Sequence, residues 1–272
     1  MSAATRPSLG RIALNGAAGI GLLYILLPLI FVIWLAFFRQ EIPSFPPEGY
    51  SLKWFGAAAN NKAFVSGFVL SLQVGVAATL IGLLLGVPAA LALVRHRIVL
   101  GPAVNTLLLL PLVMPGIVLG TALYVFQIET EIATGLPVLG SLGGLVAAHT
   151  LVVVPWVVRL VTASLVGFDR TIEEAAQNLG AGPITTFWRV TLPSIRPGLV
   201  AGGLFGFVTS FGNLEMSLFL VGPGRTTLPI AILQYLEWKI DPTVAAASVI
   251  QIGLIAVAMI VTDRYVKLSR VV

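Results

Sequence analysis

The sequence predicts an all-α, polytopic membrane protein with about six transmembrane helices. Three observations carry this reading. Hydrophobic residues make up 57% of the 272 residues, charged residues only 10%, and the mean hydropathy is +0.99. A soluble domain carries about 25% charged residues, so this chain cannot cover a water-facing surface and lipid is its main solvent. Apolar runs close to the ~20 residues that a helix needs to cross a bilayer recur along the chain. No run alternates with period two, which argues against a β-barrel. Residues 1–272 therefore read as one transmembrane domain.

The candidate spans are 13–38, 66–94, 104–126, 142–165, 198–221 and 244–262. The first is too long for the apolar core of a signal peptide. Phe38-Arg39-Gln40 is not a small-residue cleavage site, so this span is expected to remain as a helix. Pro28, Pro88, Pro111, Pro115 and Pro155 fall inside spans and predict kinks.

Orientation follows from lysine and arginine in the short connections. Arg6, Arg11, Arg95, Arg97, Arg170, Arg189, Arg196, Arg264, Lys267 and Arg270 lie on one side. Arg39, Lys53, Lys62, Arg225 and Lys239 lie on the other, and the loop 127–141 has no basic residue. Ten against five predicts that both termini are cytoplasmic, in a bacterial inner membrane.

Several chemistries are excluded. The chain has no cysteine, which removes disulfides, thiolate catalysis and Cys-ligated metals. The net charge of +5 is dispersed without a lysine-rich run, which argues against nucleic acid. No Gly-Lys dipeptide occurs, so there is no P-loop; HExxH and GxSxG are also missing. An intramembrane enzyme thus has no constellation to stand on, and no metal site is expected. An ion-coupled secondary transporter would show deep carboxylates or inverted repeats; only Glu215 is a candidate and no repeat is visible.

One stretch breaks the apolar pattern: "EEAAQNLGAGPITTFWRVTLP", residues 173–193, on the cytoplasmic side. Thr171 and Glu174 fit a capping box. Ala175 and Ala176 are strong helix formers with little bulk. Gly180 suits the left-handed turn that ends a helix. Gly182 and Pro183 open a second short helix, which Leu192-Pro193 is expected to close. Two short helices joined by a tight turn either rest in the headgroups as a connector or dock in another protein's groove.

The spacing favours docking. Glu174-Ala175-Ala176, three residues, Gly180, nine residues, then Val190-Thr191-Leu192-Pro193 resembles the EAA loop of binding-protein-dependent ABC importer permeases, with valine at 190 where that family usually has isoleucine. Tyr50-Ser51-Leu52-Lys53-Trp54-Phe55, Leu110-Pro111-Leu112-Val113-Met114-Pro115, Thr227-Leu228-Pro229 and Asp241-Pro242-Thr243-Val244-Ala245-Ala246 resemble the spermidine/putrescine-type branch. The resemblance implies a type I importer fold and a coupling loop at 171–193. It also implies a dimer of ATPase subunits that consume ATP, a second, non-identical permease and a periplasmic solute-binding protein. No cofactor would be bound by this chain.

For the solute pathway the candidates lie in the fifth span. Gly198, Gly202 and Gly206 recur every fourth residue, a spacing that permits close helix approach; Gly206 also leaves room beside a polar face. Ser210 and Asn213 are three apart and share that face if the helix continues. Glu215 points either into the pathway or toward the outer interface. Arg159 reads as a snorkelling residue, and His149, Gln73 and Gln251 as partners in interhelical hydrogen bonds. Polyamine-type permeases tend to carry acidic residues where this chain has Gly116, Gly212 and Asn213. A solute of the polyamine or amino-acid-derivative kind is expected, less cationic than a free polyamine.

Overall fold

The computed structural model describes residues 9–96 and 100–266. Arg6, Arg97, Lys267 and Arg270, which enter the charge count above, lie outside the described residues. Among the described residues every regular element is helical, and the only extended pairing is an isolated bridge between Phe38 and Tyr50. Five helices are long and apolar enough to cross a membrane. They are α1 (Leu9–Leu35), α3 (Lys62–Arg95), α5 (Gly116–Thr134), α6 (Leu142–Val166) and α13 (Thr243–Val266), with the short α2 (Lys53–Asn60) and α4 (Gly101–Leu109) between the first three and α12 (Leu228–Trp238) before the last.

Two predicted spans are broken where continuous helices were expected. The span 104–126 becomes α4, a 3-10 turn at Leu110–Leu112 and then α5, with Pro115 in the cap position. Pro111 and Pro115 lack the N–H that a continuous helix requires, so the helix stops and restarts rather than kinking. α5 then runs to Thr134, through residues read as the start of the loop 127–141. Beyond it Glu131 Oε1 accepts the backbone N–H groups of Val138 and Leu139, at 2.5 and 2.7 Å. The span 198–221 becomes the 16-residue α10 (Arg196–Phe211), a break at Gly212–Met216, and the one-turn α11 (Ser217–Leu220).

The described residues form two compact units. One comprises those up to Asn61 together with Tyr235–Ile252. Its aromatic cluster turns the chain after α1: Trp34 packs edge-on against Phe38 and Phe45, and Trp54 Nε1 donates to the Phe38 carbonyl at 2.7 Å. Asp241 accepts from the Thr243 N–H at 2.9 Å and from the Tyr235 hydroxyl at 2.9 Å, fixing the start of α13.

The other unit comprises Lys62–Gln234 and the described residues from Gly253. Its centre is α6, packed along α3 and α10, which also pack on each other. Val153, Val157 and Val161 of α6 are fully buried with Ala78 and Ala90 of α3 and Ile195. A second cluster joins Val74, Leu119, Leu145, Val152, Met216 and Leu220, so the broken segments α5 and α11 are packed into the same unit. Lipid tails are as apolar as leucine and do not push helices together, so association rests on close packing and interhelical hydrogen bonds. The small residues of α3 and α10 supply the first.

Candidate functional site

The polar connector after α6 forms α7 (Thr171–Asn178), α8 (Pro183–Thr186), a π-helical turn at Phe187–Thr191 and the single turn α9 (Leu192–Ser194). Its start differs from expectation. Thr171 is already helical, Arg170 before it has a helical backbone, and no side-chain cap forms there. The expected box between Thr171 and Glu174 is therefore not made. Asp169 takes the role: its Oδ1 accepts the Thr171 N–H at 3.0 Å. That N–H, and after it the Thr171 hydroxyl, hold the Asp169 carboxyl below the usual carboxylate range.

The end of α7 agrees with expectation. Gly180 has φ +90°. Its N–H bonds the Gln177 carbonyl at 2.9 Å and the Ala181 N–H bonds the Ala176 carbonyl at 3.0 Å. This is the paired arrangement that closes a helix on a left-handed glycine. Pro183 then occupies the first turn of α8, with Gly182 extended before it.

Leu192-Pro193, expected to close the second helix, instead continues it through α9 to Ile195. Proline removes one backbone donor and crowds the preceding turn, and the wider π turn at Phe187–Thr191 lies directly before it.

The two neighbouring glutamates part ways. Glu174 is exposed beside exposed Ala175 and half-buried Ala176, whereas Glu173 is only 5% exposed. The Glu173 carboxylate is ion-paired with Arg95 and accepts the Thr191 hydroxyl; Arg95 also donates to Thr191 Oγ1 at 3.4 Å. Sequence pattern gives Glu174 a coupling role and gives none to Glu173 or Arg95. Arg95 ends an apolar span and Glu173 begins a polar helix, but a pairing across 78 residues has no local signature.

On the outside of the connector Leu179 is 90% exposed, and Ile172, Ile184 and Trp188 are exposed as well. Four large apolar side chains uncovered on an otherwise polar element form a surface suited to burial against a partner.

The α10–α11 region holds the pathway candidates. Buried His149 of α6 stands between two serines: Nδ1 is 2.8 Å from Ser210 Oγ and Nε2 is 3.1 Å from Ser217 Oγ. Asn213 Oδ1 accepts the N–H groups of Met216 and Ser217 at 3.2 and 3.3 Å, and Ser217 Oγ donates to the Asn213 carbonyl at 2.9 Å. The helix stops at Phe211, so the helical-face relation between Ser210 and Asn213 does not apply; Ser217 and His149 connect them instead. Glu215 is exposed, with its carboxylate against Gly116 at the start of α5.

Gly206 leaves no room for a solute. A β-carbon there would stand 2.6 Å from Val153 Cγ1, so the residue serves helix contact. Gln73 and Arg159, each placed within a span, are exposed on the unit's surface.

Comparison with known proteins identifies the architecture. Residues 78–270 match the family described as "Binding-protein-dependent transport system inner membrane component". The chain belongs to this family. The permease is 28% identical to the putrescine transport system permease protein PotI of Escherichia coli (strain K12), over 88% of its own length and 85% of the relative's. It is 37% identical to the molybdenum transport system permease protein ModB of Mycobacterium tuberculosis, over 76% and 80% of the two chains.

A solved bacterial ABC transporter for the acidic polysaccharide alginate superposes with a TM-score of 0.70 at 16% identity, covering 93% of this chain and 95% of that one. The inward-facing methionine transporter MetNI superposes at 0.60 with 21% identity, covering 75% and 94%. The fold is the type I ABC importer permease fold, and the chain is a permease subunit of an ABC importer. Membership sets aside the ion-coupled secondary transporter. The family implies a separate ATPase and a binding protein as partners.

Proposed function

We infer that the permease forms half of a solute pathway as one transmembrane domain and takes its energy from a separate ATPase dimer docked on residues 171–193. The observation that carries this is the uncovered apolar surface of Leu179, Ile184 and Trp188 on an ordered, otherwise polar connector. Exposed Glu174 and Ala175, half-buried Ala176 and the turn at Gly180 belong to the docking element. Thr171 begins it, and Leu192 and Pro193 carry it into α10.

A second, non-identical permease supplies the other half of the path, and a periplasmic binding protein delivers solute. Both termini face the cytoplasm. ATP is bound and hydrolysed by the partner, with no cofactor on this chain. ATP binding draws the ATPase subunits together, moves the connector and switches the pathway between inward- and outward-facing states.

The solute is a small organic molecule of the polyamine or amino-acid-derivative kind. The PotI relative supports it, as does the exposed carboxylate of Glu215 where α5 restarts at Gly116. Ser210 and Asn213 hold that segment in shape. A second reading, an oxyanion, is favoured by the higher identity to ModB; the exposed carboxylate of Glu215 opposes it.

The test is uptake of radiolabelled putrescine and molybdate by the whole complex in proteoliposomes loaded with ATP. Accumulation of putrescine supports the first reading, and accumulation of molybdate overturns it in favour of the second. A crosslink from Asn178→Cys to the ATPase tests the docking; its absence overturns the coupling role of the connector.

A further inference from the structure

The connector is held to the membrane-embedded helices by one buried polar cluster: Arg95 at the last turn of α3, Glu173 in the first turn of α7, and Thr191 at the end of the π turn. Three features make this more than a chance surface pair. First, Glu173 is nearly inaccessible and Arg95 three-quarters so, with side-chain exposures of 6% and 25%. An ion pair taken out of water loses hydration and is a poor device for stability alone, yet it is kept in a chain with 10% charged residues. Second, each charge sits at the helix end that suits its sign: the carboxylate in a first turn, the guanidinium in a last turn. Both placements complement the helix dipoles. Third, α7 otherwise has α8 and the π turn as its main packing neighbours, and its Ile172 and the adjoining Leu179 are exposed.

We propose that Arg95, Glu173 and Thr191 are positioning residues that hand movement of the coupling connector to α3, and through Thr191 to α10. This rests on the reading that an ATPase docks on the connector. α3 packs along both α6 and α10, so a displacement delivered at Arg95 reaches the three helices that make the centre of the unit. Glu173 and Glu174 then divide the labour: the exposed carboxylate is available to the partner, and the buried one holds the connector to the permease.

The chain has no cysteine, so introduced cysteines report cleanly. The experiment uses the whole complex in lipid nanodiscs. Spin labels at Leu84→Cys on α3 and Phe126→Cys on α5, both exposed, give a distance measured without nucleotide and after trapping with ATP and vanadate. A crosslink from Asn178→Cys to the ATPase reports docking separately.

In Glu173→Gln the crosslink is expected to persist while the nucleotide-driven distance change is lost. Glu173→Asp, which keeps a carboxylate in the first turn of α7, is expected to retain part of it. Thr191→Val, which keeps the ion pair and removes the hydroxyl, is expected to reduce the change and serves where Glu173→Gln does not assemble. A full distance change in both Glu173→Gln and Thr191→Val overturns the proposal. Absence of the crosslink in the otherwise unaltered complex overturns the docking reading, and this link with it.

Discussion

Gly206 of α10 lies so close to Val153 of α6 that a β-carbon added to it would stand 2.6 Å from the valine Cγ1. The contact sits at the centre of the buried valine cluster, where α6 and α10 meet without a gap. Gly206→Val overfills it, and overpacking a tight core costs about 1–3 kcal/mol. Thermal unfolding of the purified complex should show the loss, along with less assembled permease in membranes. Gly206→Ala combined with Val153→Ala should recover most of it. If Gly206→Val left stability intact but blocked transport, the glycine would have to face the pathway after all.

Gly180 presents the opposite case. No atom lies within 4 Å of a β-carbon built there, yet its φ is +90°. The cost of a substitution is therefore backbone strain alone, roughly 1–2 kcal/mol for a β-branched residue held left-handed. Gly180→Val should loosen the end of α7 and uncouple ATP hydrolysis from solute uptake while the chain still inserts. Gly180→Asn, which tolerates this conformation, should stay close to the unaltered protein. Equal coupling in both variants would remove the turn from the coupling role.

Asp169 offers a pH test outside the membrane. Its carboxyl is held below the usual range by the Thr171 N–H and hydroxyl. A group with a depressed folded pKa contributes its stability above the unfolded value and loses it as pH falls through the folded one. Hydrogen exchange at Thr171–Glu174, corrected for intrinsic rates, should show full protection above the ordinary aspartate range, a progressive loss as pH falls through it, and no further loss below the depressed folded value. Asp169→Ala should lack that protection at every pH.

Much of this was readable from sequence. Uninterrupted apolar runs such as 142–165 and 66–94 became helices with nearly the same limits, α6 at Leu142–Val166 and α3 at Lys62–Arg95, because span length is set by the bilayer. The turn at Gly180 was readable because left-handed backbone selects glycine. The breaks at Pro115 and at Gly212–Met216 were not, since a hydropathy window averages over a proline or a small polar residue. The Thr171–Glu174 box lost to Asp169, a competing acceptor two residues upstream. Glu173 with Arg95, and His149 with Ser210 and Ser217, depend on partners 61 to 78 residues away, and no periodicity records them.

His149 ties α6 to both sides of the α10 break through Ser210 and Ser217. A neutral imidazole can donate through one nitrogen and accept through the other, which fits two hydroxyl partners. His149→Leu removes both contacts in a buried place, and an unsatisfied buried polar group costs about 1–3 kcal/mol. Lower thermal stability is expected, with faster thiol labelling of a cysteine introduced at exposed Leu218. Unchanged labelling would show that the α10–α11 segment is held by packing alone.

Asn213 and Glu215 occupy the same break and do different things. Asn213 Oδ1 accepts the Met216 and Ser217 N–H groups, so Asn213→Leu frees the start of α11. It should impair uptake of any solute and lower thermal stability, while Asn213→Asp, which keeps an acceptor, should retain stability. Glu215 is exposed, lies against Gly116 and makes no such cap. Glu215→Gln keeps the shape and removes the charge. It should leave stability unaltered and reduce uptake of a cationic solute such as putrescine by about tenfold, the effect of losing ~1.4 kcal/mol of attraction. Both variants need to be compared at matched amounts of complex in the membrane. If Glu215→Gln left putrescine uptake intact, the carboxylate would be no solute contact for a cation; if instead it raised uptake of molybdate, the oxyanion reading would stand in its place.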